Sequence, residues 1–290
     1  MRFSDFNLDP SLLNAIQQVK WEECTAVQEH VIPHVMSGKD VAGLAQTGTG
    51  KTGAFLVPLM DRILKKSFAD WKIKNFVLIL VPTRELAEQV LNVVIDLGRH
   101  CGLRGVSVYG GTAYDKQKAG IASGCEFIVA TPGRLIDLYK DHQIDLRQCR
   151  AIVFDEADRM FDMGFKDDMK YILARVPNDR QFLVFSATLN FEVLNTAYQF
   201  GANPIEFNIS KDQAKAENVA DTLFHIGQNE KPAYLISVIK KANPKQVIVF
   251  SNFKHNVGRL SRFLCDNGIP AVGISSLLTQ AQRNRVMEQF

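Results

Sequence analysis

Short apolar runs recur between residues 41 and 185, with room for a helix between most of them. The runs of strand length are Val41–Ala45, Phe76–Val81, Val106–Tyr109, Phe127–Ala130, Ala151–Phe154 and Phe182–Phe185. Nearly continuous apolar strands that alternate with helical stretches are typical of a parallel sheet covered on both faces. The pattern therefore predicts an α/β fold in which helices pack on both sides of a parallel sheet.

A short amphipathic helix is predicted before the first strand. Asp9 and Pro10 have the residue types of a helix cap and a first helical position. Leu12 and Ile16 then lie on one helical face. The chain is therefore expected to open with a short amphipathic helix.

A polar stretch predicts a boundary between two domains. Residues 208–217 read N-I-S-K-D-Q-A-K-A-E, and a second strand-and-helix pattern follows with apolar runs at Leu223–Ile226 and Val247–Phe250. We interpret 208–217 as a linker. The pattern ends at Phe290 without a Gly or Pro stop signal, so residues 218–290 are expected to form an incomplete second domain.

Composition narrows the class of protein only slightly. The chain has 290 residues, of which 46% are hydrophobic, enough for two cores. Its 34 basic and 31 acidic residues give a net charge of +3, so no global basic field requires a nucleic-acid partner, although a local patch could serve one. The cysteines form no C-x-x-C pair, and neither a signal peptide nor a long apolar run is present. We therefore expect a cytoplasmic protein with reduced thiols and no membrane segment.

The segment after the first apolar run has the pattern of a phosphate-binding loop. It reads A-Q-T-G-T-G-K-T and precedes a helical stretch, which is the context that such a loop requires. Its backbone N–H groups can surround phosphates, Lys51 can reach the terminal phosphates, and the Thr52 hydroxyl can coordinate Mg²⁺. An ordinary glycine turn is the alternative. The predicted ATP ligands are Ala45, Gln46, Thr47, Gly48, Thr49, Gly50, Lys51 and Thr52.

An acidic cluster follows the apolar run Ala151–Phe154 directly. It reads D-E-A-D, which places carboxylates at the carboxyl end of a strand, where open α/β sheets bind ligands. Asp155 can hold Mg²⁺, and Glu156 can accept a proton from the water that attacks the γ-phosphate. The alternative is a charged helix start that only complements the helix dipole.

Five short motifs in this order resemble those of the DEAD-box RNA helicases. They are A-Q-T-G-T-G-K-T, P-T-R-E-L-A at 82–87, T-P-G-R at 131–134, D-E-A-D at 155–158 and S-A-T at 186–188. The resemblance covers essentially the whole chain. It implies a RecA-like ATP-binding domain at 31–207, preceded by an adenine-reading segment within residues 1–30.

The resemblance assigns two residues of this N-terminal segment to the adenine base. Gln28 matches the glutamine that reads the base edge, for which a carboxamide is suited because it both donates and accepts hydrogen bonds. Trp21 matches the aromatic residue that stacks on adenine, and Phe3 matches an isolated upstream aromatic. Core packing is the alternative for both aromatic residues.

The resemblance also assigns a set of residues to the RNA backbone. Cations, hydroxyls and exposed N–H groups bind phosphates without reading bases. These residues are Arg84, Gly110, Gly111, Thr131, Gly133 and Arg134. For the two arginines the alternative is an ordinary surface charge.

Three further residues match positions that couple nucleotide state to domain closure. They are Asp158 in the acidic motif, and Ser186 and Thr188 in S-A-T. A buried network of hydroxyl groups is the structural alternative, and it is compatible with coupling.

The second domain matches the family less closely. Val247–Asn252 and Gln280–Arg283 resemble two of its motifs, but Phe253 stands where threonine is usual and Ser275–Ser276 replaces His-Gly. The remaining motifs, which supply an arginine finger, are expected beyond Phe290.

The leading hypothesis is a monomeric ATP-dependent RNA helicase that uses Mg²⁺. A DNA translocase with the same core is a rival, disfavoured by Gln28 and by D-E-A-D. An RNA-binding scaffold or clamp that holds ATP without appreciable hydrolysis is another. A small-molecule kinase would share only the phosphate-binding loop.

Overall fold

The computed structural model describes residues 1–45, 48–68, 71–112, 114–187, 191–208, 222–227 and 230–290. These residues divide into two units, Met1–Glu217 and Asn218–Phe290. The predicted linker, apart from Asn208, lies outside the described residues.

The sheet of the first unit consists of parallel strands in the order β3-β4-β2-β5-β6-β1-β7. The strands are β1 (Val41–Leu44), β2 (Phe76–Leu80), β3 (Gly105–Val108), β4 (Phe127–Ala130), β5 (Cys149–Asp155), β6 (Gln181–Ser186) and β7 (Ile205–Asn208). The α/β fold and the first six strands are confirmed. The edge strand β7 was not predicted, because I-E-F-N alternates between half-buried and exposed positions instead of forming an apolar run.

Helices follow most of the strands and return the chain to the next strand. The helices of the first unit are α1 (Pro10–Gln18), α2 (Ala26–Met36), α3 (Lys51–Leu64), α4 (Arg84–Cys101), α5 (Tyr114–Ala122), α6 (Pro132–Lys140), α7 (Ala157–Asp162), α8 (Lys166–Leu173) and α9 (Phe191–Gln199). Across the part of the chain that the structure describes, no helix is both long and apolar enough to cross a bilayer.

Two hydrophobic clusters cover the two faces of the sheet. On one face, α1 to α4 contribute side chains such as Leu12 and Phe55, which pack with Phe185 of β6. On the other face, α6 to α9 contribute side chains such as Leu135 and Met160. Because both faces are covered, successive residues of the central strands are buried on alternate sides, which explains their unbroken apolar sequence.

The N-terminal helix begins and is capped as its sequence predicts. The Asp9 carboxylate accepts a hydrogen bond of 2.9 Å from the backbone N–H of Ser11 and so caps α1. Leu12 and Ile16 are fully buried in the cluster that also contains α3. The segment therefore shares the hydrophobic core of the first unit.

The second unit contains α10 (Lys231–Ala242), α11 (Lys254–Asp266) and α12 (Gln280–Gln289). The strands expected at Leu223–Ile226 and Val247–Phe250 were wrong, since the described residues of this unit form no strand. A strand depends on hydrogen bonds to a neighbour, and neither segment has one here. Phe250 is accordingly 92% exposed.

Replacing Gly43 with Ala should destabilise the first unit. A Cβ atom at this β1 position would lie 2.8 Å from the buried ring of Phe185 on the adjacent strand β6. Overpacking of this kind costs about 1–3 kcal/mol in the free energy of unfolding, which urea denaturation can measure. Gly133→Ala in α6 is the control, because its Cβ would meet nothing within 4 Å. Equal stability of the two variants would contradict the packing argument.

Candidate nucleotide site and nucleic-acid interface

The carboxyl ends of the parallel strands meet at one edge of the sheet, where the predicted site residues are found. The phosphate-binding loop follows β1, Asp155 ends β5, and Ser186 ends β6. Helices α3, α4, α6 and α7 begin at this edge, so their N-terminal N–H groups add partial positive charge there. The edge is therefore suited to anions.

Glycines shape the described part of the phosphate-binding loop. Gly48 and Gly50 have φ angles of 81° and 89°, which other residues rarely adopt. A Cβ at Gly50 would lie 2.7 Å from Nε2 of Gln28 and 2.8 Å from Oγ1 of Thr25. Only glycine fits this approach. Gln46 and Thr47, two of the predicted ATP ligands, lie outside the described residues.

Lys51 begins α3 and points its ammonium group into the protein. Its side chain is 6% exposed, and Nζ lies 4.0 Å from Oδ1 of Asp155, whose side chain is 4% exposed. Among the described residues, Nζ is buried without a hydrogen-bond partner. A buried ammonium with unused donors is costly unless an anion accepts from it, so this atom fits a phosphate oxygen.

Asp155 is a carboxylate in a low-dielectric position. Burial raises its pKa to about 6, against the opposing effect of Lys51. The backbone N–H of Glu156 donates to its Oδ1 at 3.0 Å. With the hydroxyl of Thr52 at the start of α3, Asp155 provides the hard oxygen ligands that Mg²⁺ prefers. The residues present thus fit a magnesium ion bound together with phosphates.

Glu156 has a strained backbone. Its φ and ψ angles of 53° and 50° are left-handed, and it precedes the first residue of α7. Such a conformation in a residue other than glycine costs about 1–3 kcal/mol, and strained residues of this kind cluster at active sites and ligand clamps. The side chain is 16% exposed, with Oε2 3.5 Å from Nη1 of Arg159. Its carboxylate is therefore partly buried, with a cationic side chain close to it.

Ser186 joins the acidic motif to the phosphate-binding loop. Its Oγ accepts a hydrogen bond of 3.1 Å from the backbone N–H of Asp158. Its carbonyl accepts one of 3.0 Å from the N–H of Ala45. One fully buried residue thus connects β6, α7 and the end of β1. Thr188, its predicted companion, lies outside the described residues.

Gln28 contacts the phosphate-binding loop directly, which the sequence does not indicate. Its Nε2 donates to the Gly50 carbonyl at 3.1 Å, and its Oε1 accepts from the Thr25 N–H at 2.9 Å. The side chain is only 5% exposed. Nε2 keeps a second hydrogen and Oε1 a second lone pair, so a base edge can still be recognised. The carboxamide therefore stabilises the phosphate-binding loop in addition to its predicted role in base recognition.

The side chains of Trp21 and Gln28 both lie close to Gly53, in the first turn of α3. A Cβ at Gly53 would be 2.7 Å from Nε2 of Gln28 and 3.0 Å from Cζ3 of Trp21. Trp21 is half-buried, whereas Phe3 is 2% exposed, so the core-packing alternative holds for Phe3. The two ring centroids are 6.1 Å apart. Gly53 allows the tryptophan and the glutamine to approach the helix that carries Lys51.

The other half of the carboxyl edge carries the residues expected to contact RNA. Arg84, the first residue of α4 after β2, is exposed and lies beside the glycine pair that follows β3. A Cβ at Gly111, whose φ is 90°, would be 2.2 Å from Nη1 of Arg84, and one at Gly110 would be 3.7 Å from Nη2. The glycines thus bring backbone close to a guanidinium.

Thr131, Gly133 and Arg134 surround the start of α6 after β4. Thr131 is the N-cap residue, and Gly133 borders open space. Nη1 of Arg134 donates to Oε1 of Gln117 at 3.2 Å, and its guanidinium lies 5.0 Å from the centroid of Tyr114. The sequence did not single out Gln117 and Tyr114, because α5 has no motif and the contact exists only after folding.

The strand order separates the two candidate sites. The proposed nucleotide residues follow β5, β6 and β1, whereas the proposed RNA residues follow β2, β3 and β4. Since β2 and β5 are neighbours, the two groups adjoin along one continuous edge. The fold and this edge define a P-loop nucleotide-binding α/β protein.

Comparison with known families specifies the class further. The DEAD/DEAH box helicase model matches residues 25–197, and the helicase conserved C-terminal domain model matches residues 230–290. The chain belongs to the DEAD/DEAH box helicase family, and the resemblance drawn from its motifs is confirmed.

Curated relatives extend the similarity over the whole chain. An ATP-dependent RNA helicase RhlB from Xanthomonas axonopodis pv. citri is 39% identical over 293 residues, covering 99% of this chain and 51% of the relative. An ATP-dependent RNA helicase RhlB from Vibrio cholerae serotype O1 (strain M66-2) is 35% identical, covering 100% of this chain and 67% of the relative. The chain thus spans about half to two thirds of the length of these relatives.

Replacing Gln28 with Ala should both weaken nucleotide binding and narrow the preference for ATP over GTP. The variant loses the bond to Gly50 together with the group proposed to read adenine. Titration of fluorescent ATP and GTP analogues measures both effects.

Thr25→Ala is the matched control. It removes the Oγ1 that caps the N–H of Gln28 at 3.4 Å, costing about 1 kcal/mol of stability, but it leaves the carboxamide in place. An unchanged preference for ATP in Gln28→Ala, or an equal loss in both variants, would contradict the adenine assignment.

Proposed function

We propose that the protein is an ATP-dependent RNA helicase that hydrolyses ATP to unwind short RNA duplexes or to remodel RNA–protein complexes. The observation that carries the proposal is the division of one sheet edge between a phosphate-binding half and a half lined by arginines and exposed backbone. Membership of the DEAD/DEAH box helicase family supports it, as do relatives named ATP-dependent RNA helicase RhlB.

In the proposed nucleotide half, each polar side chain is assigned one role in ATP binding or hydrolysis. Lys51 donates to the terminal phosphates, since its buried Nζ has no other acceptor among the described residues. Thr52 and Asp155 would hold Mg²⁺, which when bound would neutralise part of the phosphate charge. Glu156 orients the attacking water and takes its proton.

The base is held at the other end of this half. Trp21 would stack on adenine, and Gln28 would use its second hydrogen and second lone pair on the base edge. Because Gln28 also donates a hydrogen bond to Gly50, a base bound to Gln28 would restrict the movement of the phosphate-binding loop. Adenine recognition and phosphate binding are therefore proposed to act together.

The proposed RNA half recognises backbone and not sequence. Arg84 and Arg134 offer guanidinium groups, Thr131 a hydroxyl, and Gly110, Gly111 and Gly133 close approach to the main chain. Contacts of this kind make binding nearly independent of base sequence and sensitive to salt.

Ser186 is proposed to couple the bound nucleotide to the rest of the domain. It is hydrogen-bonded both to Asp158 of the acidic motif and to Ala45 at the start of the phosphate-binding loop, so a change at either position would affect the other.

The proposal extends to the organisation of the chain. We propose an adenine-reading segment at 1–30, an ATP-binding domain at 31–207, a linker at 208–217 and helicase C-terminal sequence at 218–290. We also propose that the protein acts as a monomer in the cytoplasm. All five cysteines are free, as is usual in a reducing compartment.

Two other functions give different outcomes in the same assays. A DNA translocase would be stimulated by DNA, and a clamp would bind ATP and RNA with little turnover. The match to the DEAD/DEAH box helicase model supports the helicase more than either alternative.

RNA, but not DNA of the same sequence, should stimulate ATP hydrolysis by the full-length protein. Arg84→Ala should lower RNA affinity and the stimulated rate while leaving the affinity for ATP alone unchanged, because Arg84 lies in the other half of the edge. Lys51→Ala should instead lower the affinity for ATP and leave the affinity for RNA alone unchanged. Phosphate release and RNA-binding titrations measure these quantities. Equal stimulation by DNA would favour the translocase, and no stimulation would favour the clamp.

Glu156→Gln and Asp155→Asn should fail in different ways. Glu156→Gln keeps the side-chain shape but removes its basicity, so turnover should fall by about two to four orders of magnitude while ATP binding persists. Asp155→Asn should raise the magnesium requirement, because its defect lies in holding the ion. Magnesium titrations of ATPase rate and nucleotide affinity separate the two. Recovery of Glu156→Gln, but not of Asp155→Asn, at high magnesium would show that the roles are reversed.

A further inference from the structure

The amino edge of the sheet, opposite the proposed ATP and RNA sites, contains a cavity of about 140 Å³. Three of its lining residues are arginines from separate parts of the chain: Arg62 in the last turn of α3, Arg150 in β5, and Arg180 immediately before β6. Helix α3 runs back from the carboxyl edge, which brings Arg62 to this opposite side. Folding therefore concentrates positive charge around a small space.

The guanidinium of Arg62 is fixed by several contacts, but not all of its hydrogen-bond donors have an acceptor among the described residues. Its guanidinium lies 3.9 Å from the ring centroid of Phe68, its Nη1 donates to Gln181, and its Nη2 donates to the Ser67 carbonyl at 3.4 Å. Its Nε is buried and has no hydrogen-bond partner among the residues that the structure describes. Burial lowers the pKa of Arg62, which reflects the cost of keeping this charge out of water.

Arg180 repeats this arrangement. It is only 5% exposed, with Nη1 donating to Asn178 at 3.1 Å and Nη2 donating to Phe200 at 2.7 Å, both at carbonyl oxygens. Its Nε is likewise buried, and no described residue accepts a hydrogen bond from it. Within the described part of the chain, both arginines thus use neutral acceptors for their Nη groups and keep an Nε–H donor unused.

The described carboxylates near this cluster form no ion pair with it. Within the described ranges, none of the three arginines has an ion pair within 4.0 Å. Asp179 lines the cavity but is exposed to solvent. Asp40, which lies near Arg180, accepts hydrogen bonds from the N–H groups of Phe182 and Asn203. Buried charge of one sign normally requires a counter-ion.

We propose that this cavity binds a phosphate group. Guanidinium donors match the oxygens of phosphate, and three cationic groups suit a dianion better than a singly charged carboxylate. The volume is well below the roughly 300–1,000 Å³ of pockets for drug-sized ligands, so a single phosphate group fits and a whole nucleotide does not. The group comes either from free inorganic phosphate or from the terminal phosphate of an RNA strand.

Calorimetric titration with inorganic phosphate tests the site, at constant ionic strength and in a Lys51→Ala background that disables the P-loop. Arg150→Gln should weaken phosphate affinity by about tenfold or more, because a charge-assisted bond is lost. Arg150 makes one bond among the described residues, to the Arg147 carbonyl at 3.4 Å, so the change should be tolerated. Thermal unfolding in chloride buffer verifies folding.

Arg147→Gln is the matched control, since it removes the same charge from an exposed residue paired with Asp145 and outside the cavity. Its phosphate affinity should stay within about twofold of the parent. Arg62→Gln should reproduce the loss seen in Arg150→Gln. Absence of phosphate binding in the Lys51→Ala parent, or equal affinities of Arg150→Gln and Arg147→Gln, would overturn the proposal.

RNA strands with a 5′-phosphate or a 5′-hydroxyl identify the source of the group. If Arg150→Gln selectively weakens binding of the phosphorylated strand, the cavity accepts the end of an RNA. If both strands bind the variant as they bind the parent while phosphate affinity falls, the ligand is free phosphate. Either result supports a phosphate site at the amino edge.

Discussion

The candidate nucleotide site depends on a buried lysine ammonium that has no hydrogen-bond partner among the described residues. Lys51 loses hydration at the start of α3, and Asp155 at 4.0 Å offsets this cost only in part. The same burial raises the pKa of Asp155 to about 6, so each charge is expensive in the absence of the other. Phosphate oxygens and a divalent cation would satisfy both groups, which is why ligand binding at this position can be strong.

The remaining parts of the site keep this pair in position. Glycines let the loop turn closely around Gln28 and Thr25, and Gln28 in turn holds the Gly50 carbonyl. Ser186 ties the loop to the acidic motif through two hydrogen bonds. The strained backbone of Glu156 is tolerated because β5 and α7 fix the residues on either side. Short, buried contacts thus connect the phosphate-binding loop to the acidic motif.

The sequence predicted those features that have a local pattern. Central strands are apolar because both faces are covered, and the loop and acidic motif each lie in consecutive positions. It did not predict β7, whose edge position relaxes the pattern, or the contact of Gln28 with Gly50, which joins residues 22 positions apart. The run Val247–Phe250 shows the opposite error, because apolar residues predict a strand only where a neighbour can pair with them.

The same reasoning explains why the arginine cavity has no sequence signature. At the carboxyl edge, the proposed phosphate site would use mainly backbone N–H groups and helix N-termini, and such a site requires a glycine pattern that can be recognised in the sequence. At the amino edge, α3 presents its C-terminus, whose partial negative charge repels anions. A phosphate site there must rely on side chains, and Arg62, Arg150 and Arg180 come from distant positions that only the fold brings together.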